Sequence, residues 1–137
     1  MAMKDVDYVT RADRLVKNMM DGEYQIYKPR GKNKKLGWNM TTTQLRNLLS
    51  MINKIDNKIK MDKSNDKLSN DIVSDILYLR VRFAYEAGRE DHVKILLEEG
   101  KIMEKLENIG NSKEKFENFM KFMEAIVAFH RFYGGSD

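Results

Sequence analysis

Cysteine is absent from the 137 residues, which excludes disulfides, thiol catalysis and zinc–thiolate sites together. Proline occurs once, at Pro29, and the eight glycines fall at segment ends. With so few internal breakers, an all-helical chain is the expectation. No stretch approaches the roughly 20 apolar residues that span a bilayer. The start Met1-Ala2-Met3-Lys4-Asp5 lacks the apolar segment of a signal peptide, so the chain is expected in the cytoplasm. Negative charge is scarce in one region. Residues 28–63 hold ten basic residues against Asp56 and Asp62, a surplus of +8 in a chain whose total is +4. The remainder therefore sums to −4. Such segregation prepares one face for a polyanion.

Hydrophobic residues make up 42% of the chain, enough for one core in one domain at this length. The ten methionines suit helical packing, since Met is a good helix former and fills irregular gaps. Apolar spacing predicts a first helix over 5–20, carried by Val6, Val9, Ala12, Leu15, Val16 and Met19. Residues 22–40 read as an irregular basic loop punctuated by Gly22, Pro29, Gly31 and Gly37. Thr41 and Gln44 have capping-box spacing and open a second helix with an apolar stripe of Leu45, Leu48, Leu49, Ile52, Ile55 and Ile59. Ser69 caps a third helix over 70–87, with Gly88 as a left-handed stop. A fourth runs from about Glu90 to Glu99 and ends at Gly100, and residues 101–109 read as a shorter turn of helix counted with it as 90–108. Asn111 and Glu114 form a second capping box before a final helix over 112–133, apolar nearly all round. The expectation is a single-domain bundle of about five helices. A last helix of that kind is either the centre of the bundle or buries a face against another subunit.

Catalytic candidates are few. His92 and His130 lie in no metal-binding or catalytic spacing. His92 reads as a solvated surface residue and His130 as a core-edge or interface residue. There is no P-loop, no dinucleotide fingerprint and no metal-ligand cluster. No catalytic residue, metal or cofactor is predicted, and the chain reads as a non-enzyme.

The basic residues offer binding instead. Lys28, Arg30, Lys32, Lys34 and Lys35 crowd the 22–40 loop, followed by Trp38, which either stacks on a base or folds into the core. On the second helix Arg46, Lys54 and Lys58 share a polar side with Asn47, Ser50, Asn53 and Asn57, a composition that suits phosphates and sugar hydroxyls without reading sequence. On the third, Tyr78, Arg82, Tyr85 and Arg89 fall in one strip that alternates stacking planes with guanidinium forks. The competing reading pairs Arg82 with Glu86 at i,i+4. Arg80 falls on the apolar face, where it must snorkel, pair with a carboxylate or meet a partner.

Three blocks resemble a known family: Thr41-Thr42-Thr43-Gln44-Leu45-Arg46-Asn47-Leu48-Leu49, Tyr78-Leu79-Arg80-Val81-Arg82-Phe83-Ala84-Tyr85-Glu86-Ala87-Gly88-Arg89-Glu90, and Phe122 to Gly135. In that order they are similar to the small subunit of the type III-A CRISPR effector (Csm) complex. One departure is Gln44, where the family often has lysine. Residues 1–37 match in character only. The resemblance implies an all-helical, non-catalytic protein whose copies stack along guide RNA and target RNA, beside the backbone and large subunits. It implies RNA contacts at Arg46, Arg82 and Arg89, with the 28–35 loop, Lys54 and Lys58 as additions, while the residues themselves make Arg80, Tyr78, Tyr85 and Trp38 candidates for RNA or subunit contacts. The alternative is a helical protein–protein adaptor whose basic face binds an acidic partner.

Overall fold

The computed structural model describes residues 6–26, 34–62 and 67–136. Six helices are present among them: α1 (Val6–Asp21), α2 (Thr42–Met61), α3 (Asn70–Arg89), α4 (Asp91–Glu99), α5 (Ile102–Ile109) and α6 (Lys113–Phe132). Two short strands, β1 (Glu23–Ile26) and β2 (Lys34–Gly37), join α1 to α2. The expected helical bundle stands, with corrections.

The fourth helix ends at Gly100 as expected, and the count is six rather than five because the 101–109 segment is a helix of its own. Lys101 adopts a left-handed φ of 50°, which redirects the chain between α4 and α5. Gly100 just before it is buried, and a Cβ there would meet the Leu96 carbonyl oxygen at 3.0 Å and a Leu15 methyl at 3.1 Å. A Cβ there would press on the end of α4 and on α1, so this tight junction favours glycine.

The 22–40 segment is not irregular throughout. Glu23–Ile26 pairs antiparallel with Lys34–Gly37, Tyr24 opposite Leu36, so that backbone groups outside the helices find partners in each other. Nor does Gly88 stop α3. The helix runs on to Arg89 without a positive φ at Gly88, and the Glu90 N–H closes it on the Glu86 carbonyl. The cap of α6 shifts by one residue. The Asn111 carbonyl takes the Leu68 N–H at 2.8 Å, and Ser112 caps the helix through the Lys115 N–H.

Helix α6 is the centre of the bundle, packing on α1, α2 and α5. Phe116, Phe119, Phe122, Met123 and Ile126 are buried along it, each phenylalanine contributing about 1.5–3 kcal/mol by leaving water. They join Ala12, Val16 and Met19 of α1, the α2 stripe, Ile72, Ile76, Leu79 and Phe83 of α3, and the inner faces of α4 and α5 in one core. Val9, expected on the inner face of α1, is exposed. No helix of the described residues is long and apolar enough to cross a membrane.

Hydrogen bonds seat the junction before α2. Trp38 is buried, its indole N–H donating to the His92 carbonyl at 3.0 Å. His92 is therefore structural rather than a solvated surface residue: its Nδ1 accepts the Asn39 N–H at 3.0 Å. His130 is buried beneath, its Nε2–H donating to the Met40 carbonyl at 2.6 Å while the Trp38 ring meets it edge-on. The end of the chain returns to this point. The Ser136 carbonyl accepts the Thr42 N–H at 2.8 Å and the Thr42 hydroxyl at 3.0 Å. Tyr133 donates to the Asp13 carboxylate, a bond that holds the phenol above its usual pKa and fastens α6 to α1.

A Cβ at Gly135 would fall 2.2 Å from the His130 ring. Gly135→Ala is expected to cost about 1–3 kcal/mol through this overlap, read as a lower urea midpoint. An unchanged midpoint would show that the terminal segment is not seated on His130.

Candidate nucleic-acid interface

The phase of α2 is set at its first residue. The Thr41 hydroxyl accepts the Gln44 N–H at 3.1 Å, and the Gln44 side chain accepts the Thr41 N–H at 2.9 Å. Gln44 is thereby used in the cap, as its spacing from Thr41 predicted. From that start Leu45, Leu48, Ile52, Ile55 and Ile59 turn inward. Arg46, Asn47, Ser50, Asn53, Lys54, Asn57 and Lys58 are left exposed.

Helix α3 lies antiparallel beside it. At one end the Lys58 ammonium sits 2.6 Å from the Asp75 carboxylate. At the other, Gln44 and Asn47 share a small cleft with Glu86, Arg89 and Glu90. This register carries the Tyr78, Arg82, Tyr85 and Arg89 strip along the same side as the polar face of α2. Tyr78 and Tyr85 are 58% and 65% exposed, so both rings are open to a partner. The two helices build one surface.

Its cations divide into two groups. Lys58 is held by Asp75, and Lys60 by Asp56 at 3.0 Å on its own helix. Arg89 sits 3.2 Å from Glu86 and 5.7 Å from the centre of the Tyr85 ring. Glu86 thus takes Arg89, and the competing pairing of Glu86 with Arg82 does not form. Among the described residues Arg46, Lys54 and Arg82 form no ion pair. They carry the uncompensated charge of this surface.

The other candidates fall elsewhere. Arg80 pairs with Glu107 of α5 at 3.0 Å, on the far flank of α3. Trp38 is core, so the base-stacking alternative for it is withdrawn: its indole is covered by α4 and His130. Lys28, Arg30 and Lys32 lie outside the described residues, and Lys34 and Lys35 sit in β2. Leu77 and Val81, absent from the sequence-based candidates, are apolar yet 48% and 54% exposed beside the two tyrosines. Their place on the side of α3 away from Ile72, Ile76, Leu79 and Phe83 was legible in the helical period. Among the described residues no three metal-ligating side chains converge.

A family described as Csm2 Type III-A matches residues 25–136. The chain belongs to the Csm2 family of type III-A CRISPR systems. Csm2 of Streptococcus thermophilus, a CRISPR system protein, is 35% identical over 135 residues, covering 98% of each chain. Csm2 of Mycobacterium tuberculosis (strain CDC 1551 / Oshkosh) is 38% identical over 104 residues, 76% of this chain and 83% of the relative. Csm2 of Enterococcus italicus is 38% identical over 101 residues, 72% and 71% of the two. The family match includes all three blocks that carried the resemblance, and the streptococcal Csm2 aligns through the first helix as well. The chain is thus a small subunit of a type III-A Csm complex.

Asp75, by hydrogen bond and charge, raises the Lys58 pKa above its ordinary value. A raised lysine pKa means that the pair supports folding below the unfolded-state value and ceases to do so as pH climbs through the folded one. In Asp75→Asn, the Lys58 side-chain NMR titration is expected to move to lower pH. An unmoved titration would mean that the pair does not form in solution.

Proposed function

We propose that this Csm2-family chain is a non-catalytic, RNA-binding structural subunit that supports the guide RNA–target RNA pair through the α2/α3 surface. The observation that carries the reading is the set of uncompensated cations, Arg46, Lys54 and Arg82, on one surface with asparagines and exposed tyrosines. Guanidinium forks and ammonium groups suit phosphates. Amides and hydroxyls suit ribose, and none of these contacts selects a base. A subunit that serves any guide must bind in this sequence-independent way.

Lys58 and Arg89 stand at the two ends of the surface in exposed ion pairs. Such pairs hold weakly against a competing phosphate, so both join the set once RNA arrives. The loop cations Lys28, Arg30, Lys32, Lys34 and Lys35 add diffuse attraction. Arg80 serves the α3–α5 packing. The apolar side of α3, with Leu77, Val81 and the outer faces of Tyr78 and Tyr85, serves subunit contacts. The partners there are further copies stacked along the RNA and the backbone and large subunits of the effector. The work is cytoplasmic and needs no cofactor. The adaptor alternative, a basic face bound to an acidic protein, fits the asparagine-rich side of α2 less well, since amides and small hydroxyls match a sugar–phosphate backbone.

In the assembled complex, Arg46→Ala combined with Arg82→Ala is expected to weaken target RNA binding at least about tenfold, uniformly across target sequences. The slope of log K against log salt should fall by about 0.7–0.9 for each phosphate that is no longer neutralised. Unchanged affinity and slope in the double variant would remove the RNA assignment.

A further inference from the structure

The cations of the α2/α3 surface are bracketed by acids. At one end Lys58 sits 2.6 Å from Asp75, and Asp71, one turn earlier on α3, adds its charge at the same ammonium. At the other end Arg89 sits 3.2 Å from Glu86, and Glu90 shares their small cleft with Gln44 and Asn47. Each end thus sets two carboxylates around one cation, a local charge of −1.

The interval between the ends differs. Residues 76–85 of α3 contain no acid, and residues 45–57 of α2 contain only Asp56, which is buried and paired with Lys60. Arg46, Lys54 and Arg82 stand exposed in that interval, a local charge of +3. About 16 Å of helix axis separates Asp75 from Glu86.

The bracketing acids lie beneath their cations. The Glu86 and Asp75 side chains are 22% and 37% exposed, against 59% for Arg89 and 63% for Lys58. A phosphate that takes either cation from the solvent side therefore meets a carboxylate close behind it. The carboxylate so uncovered gathers a cation from solution as the phosphate loses one, and the net counterion release at that point is close to nil. A phosphate on Arg46, Lys54 or Arg82 carries no such cost. Exposed ion pairs also add little to folding, so stability alone does not account for two acids at each end.

Resting on the α2/α3 surface as the RNA-binding face, we infer that Asp71, Asp75, Glu86 and Glu90 limit its grip, confining firm phosphate contact to the stretch of Arg46, Lys54 and Arg82. The acids set both the affinity of one copy for RNA and the number of phosphates it neutralises.

The test is fluorescence-anisotropy titration of the full-length protein with a single-stranded RNA of mixed sequence at several salt concentrations. Asp75→Asn combined with Glu86→Gln is expected to bind at least about threefold tighter than the unaltered chain at low salt. The slope of log K against log salt should steepen by about 0.7 for each phosphate newly neutralised. Glu117→Gln combined with Glu124→Gln makes the same change in net charge on exposed positions of α6, and is expected to leave affinity and slope nearly unchanged. Each variant is checked for native helix content. Unchanged affinity and slope in the Asp75/Glu86 variant, absence of binding throughout included, or an equal gain in the α6 control, would overturn the inference. Such a failure would leave the α2/α3 reading standing, because that reading is measured by Arg46→Ala with Arg82→Ala in the assembled complex.

Discussion

The α2/α3 surface depends on the burial of one stripe. Leu45, Leu48, Ile52, Ile55 and Ile59 are packed into the core that α6 organises. A helix that buries five aliphatic residues gains several kcal/mol, so its rotation is not negotiable by surface charge. Arg46, Asn47, Ser50, Asn53, Lys54 and Asn57 are outward because the stripe is inward. Helix α3 is fixed in the same way by Ile72, Ile76, Leu79 and Phe83. The capping box at Thr41 and the seat built by Trp38, His92, His130 and Ser136 set where α2 begins. Packing therefore determines which cations share a face.

Much of this was legible in the chain itself. The phase of α2, its Thr41 cap and the Tyr78–Arg82–Tyr85–Arg89 strip follow from helical period and local hydrogen bonding, which are short-range. The features that escaped are long-range. His92 looked solvated because nothing nearby in sequence announces that the Asn39 N–H and the Trp38 indole will reach it. The β1–β2 pairing depends on two arms meeting, and four-residue strands leave little periodic signal. Gly88 read as a stop, although the Glu86–Arg89 turn carries the helix past it. Arg80 was recognised as anomalous within the apolar face, but its partner Glu107 lies on another helix.

Charge segregation acquires a mechanism from the pairing pattern. Lys58, Lys60, Arg80 and Arg89 have intramolecular acids, whereas Arg46, Lys54 and Arg82 have none among the described residues. Leaving three cations uncompensated on one face costs little in water and prepares that face for counterion release on a polyanion. On the proposed reading, the exposed ion pairs of Lys58 and Arg89 at its ends yield to a competing phosphate. Membership of the Csm2 family supports the proposed purpose of such a face, which charge alone does not specify, and on that proposal the amide-rich composition of α2 suits binding that is indifferent to sequence.

The most direct measurement of the central claim is photo-crosslinking in the assembled complex, with 4-thiouridine placed throughout the target RNA and crosslinked peptides of this subunit mapped by mass spectrometry. The account predicts crosslinks concentrated in peptides from residues 42–61 and 75–89, independent of target sequence. Crosslinks confined to peptides of α1, α5 and α6 would contradict it.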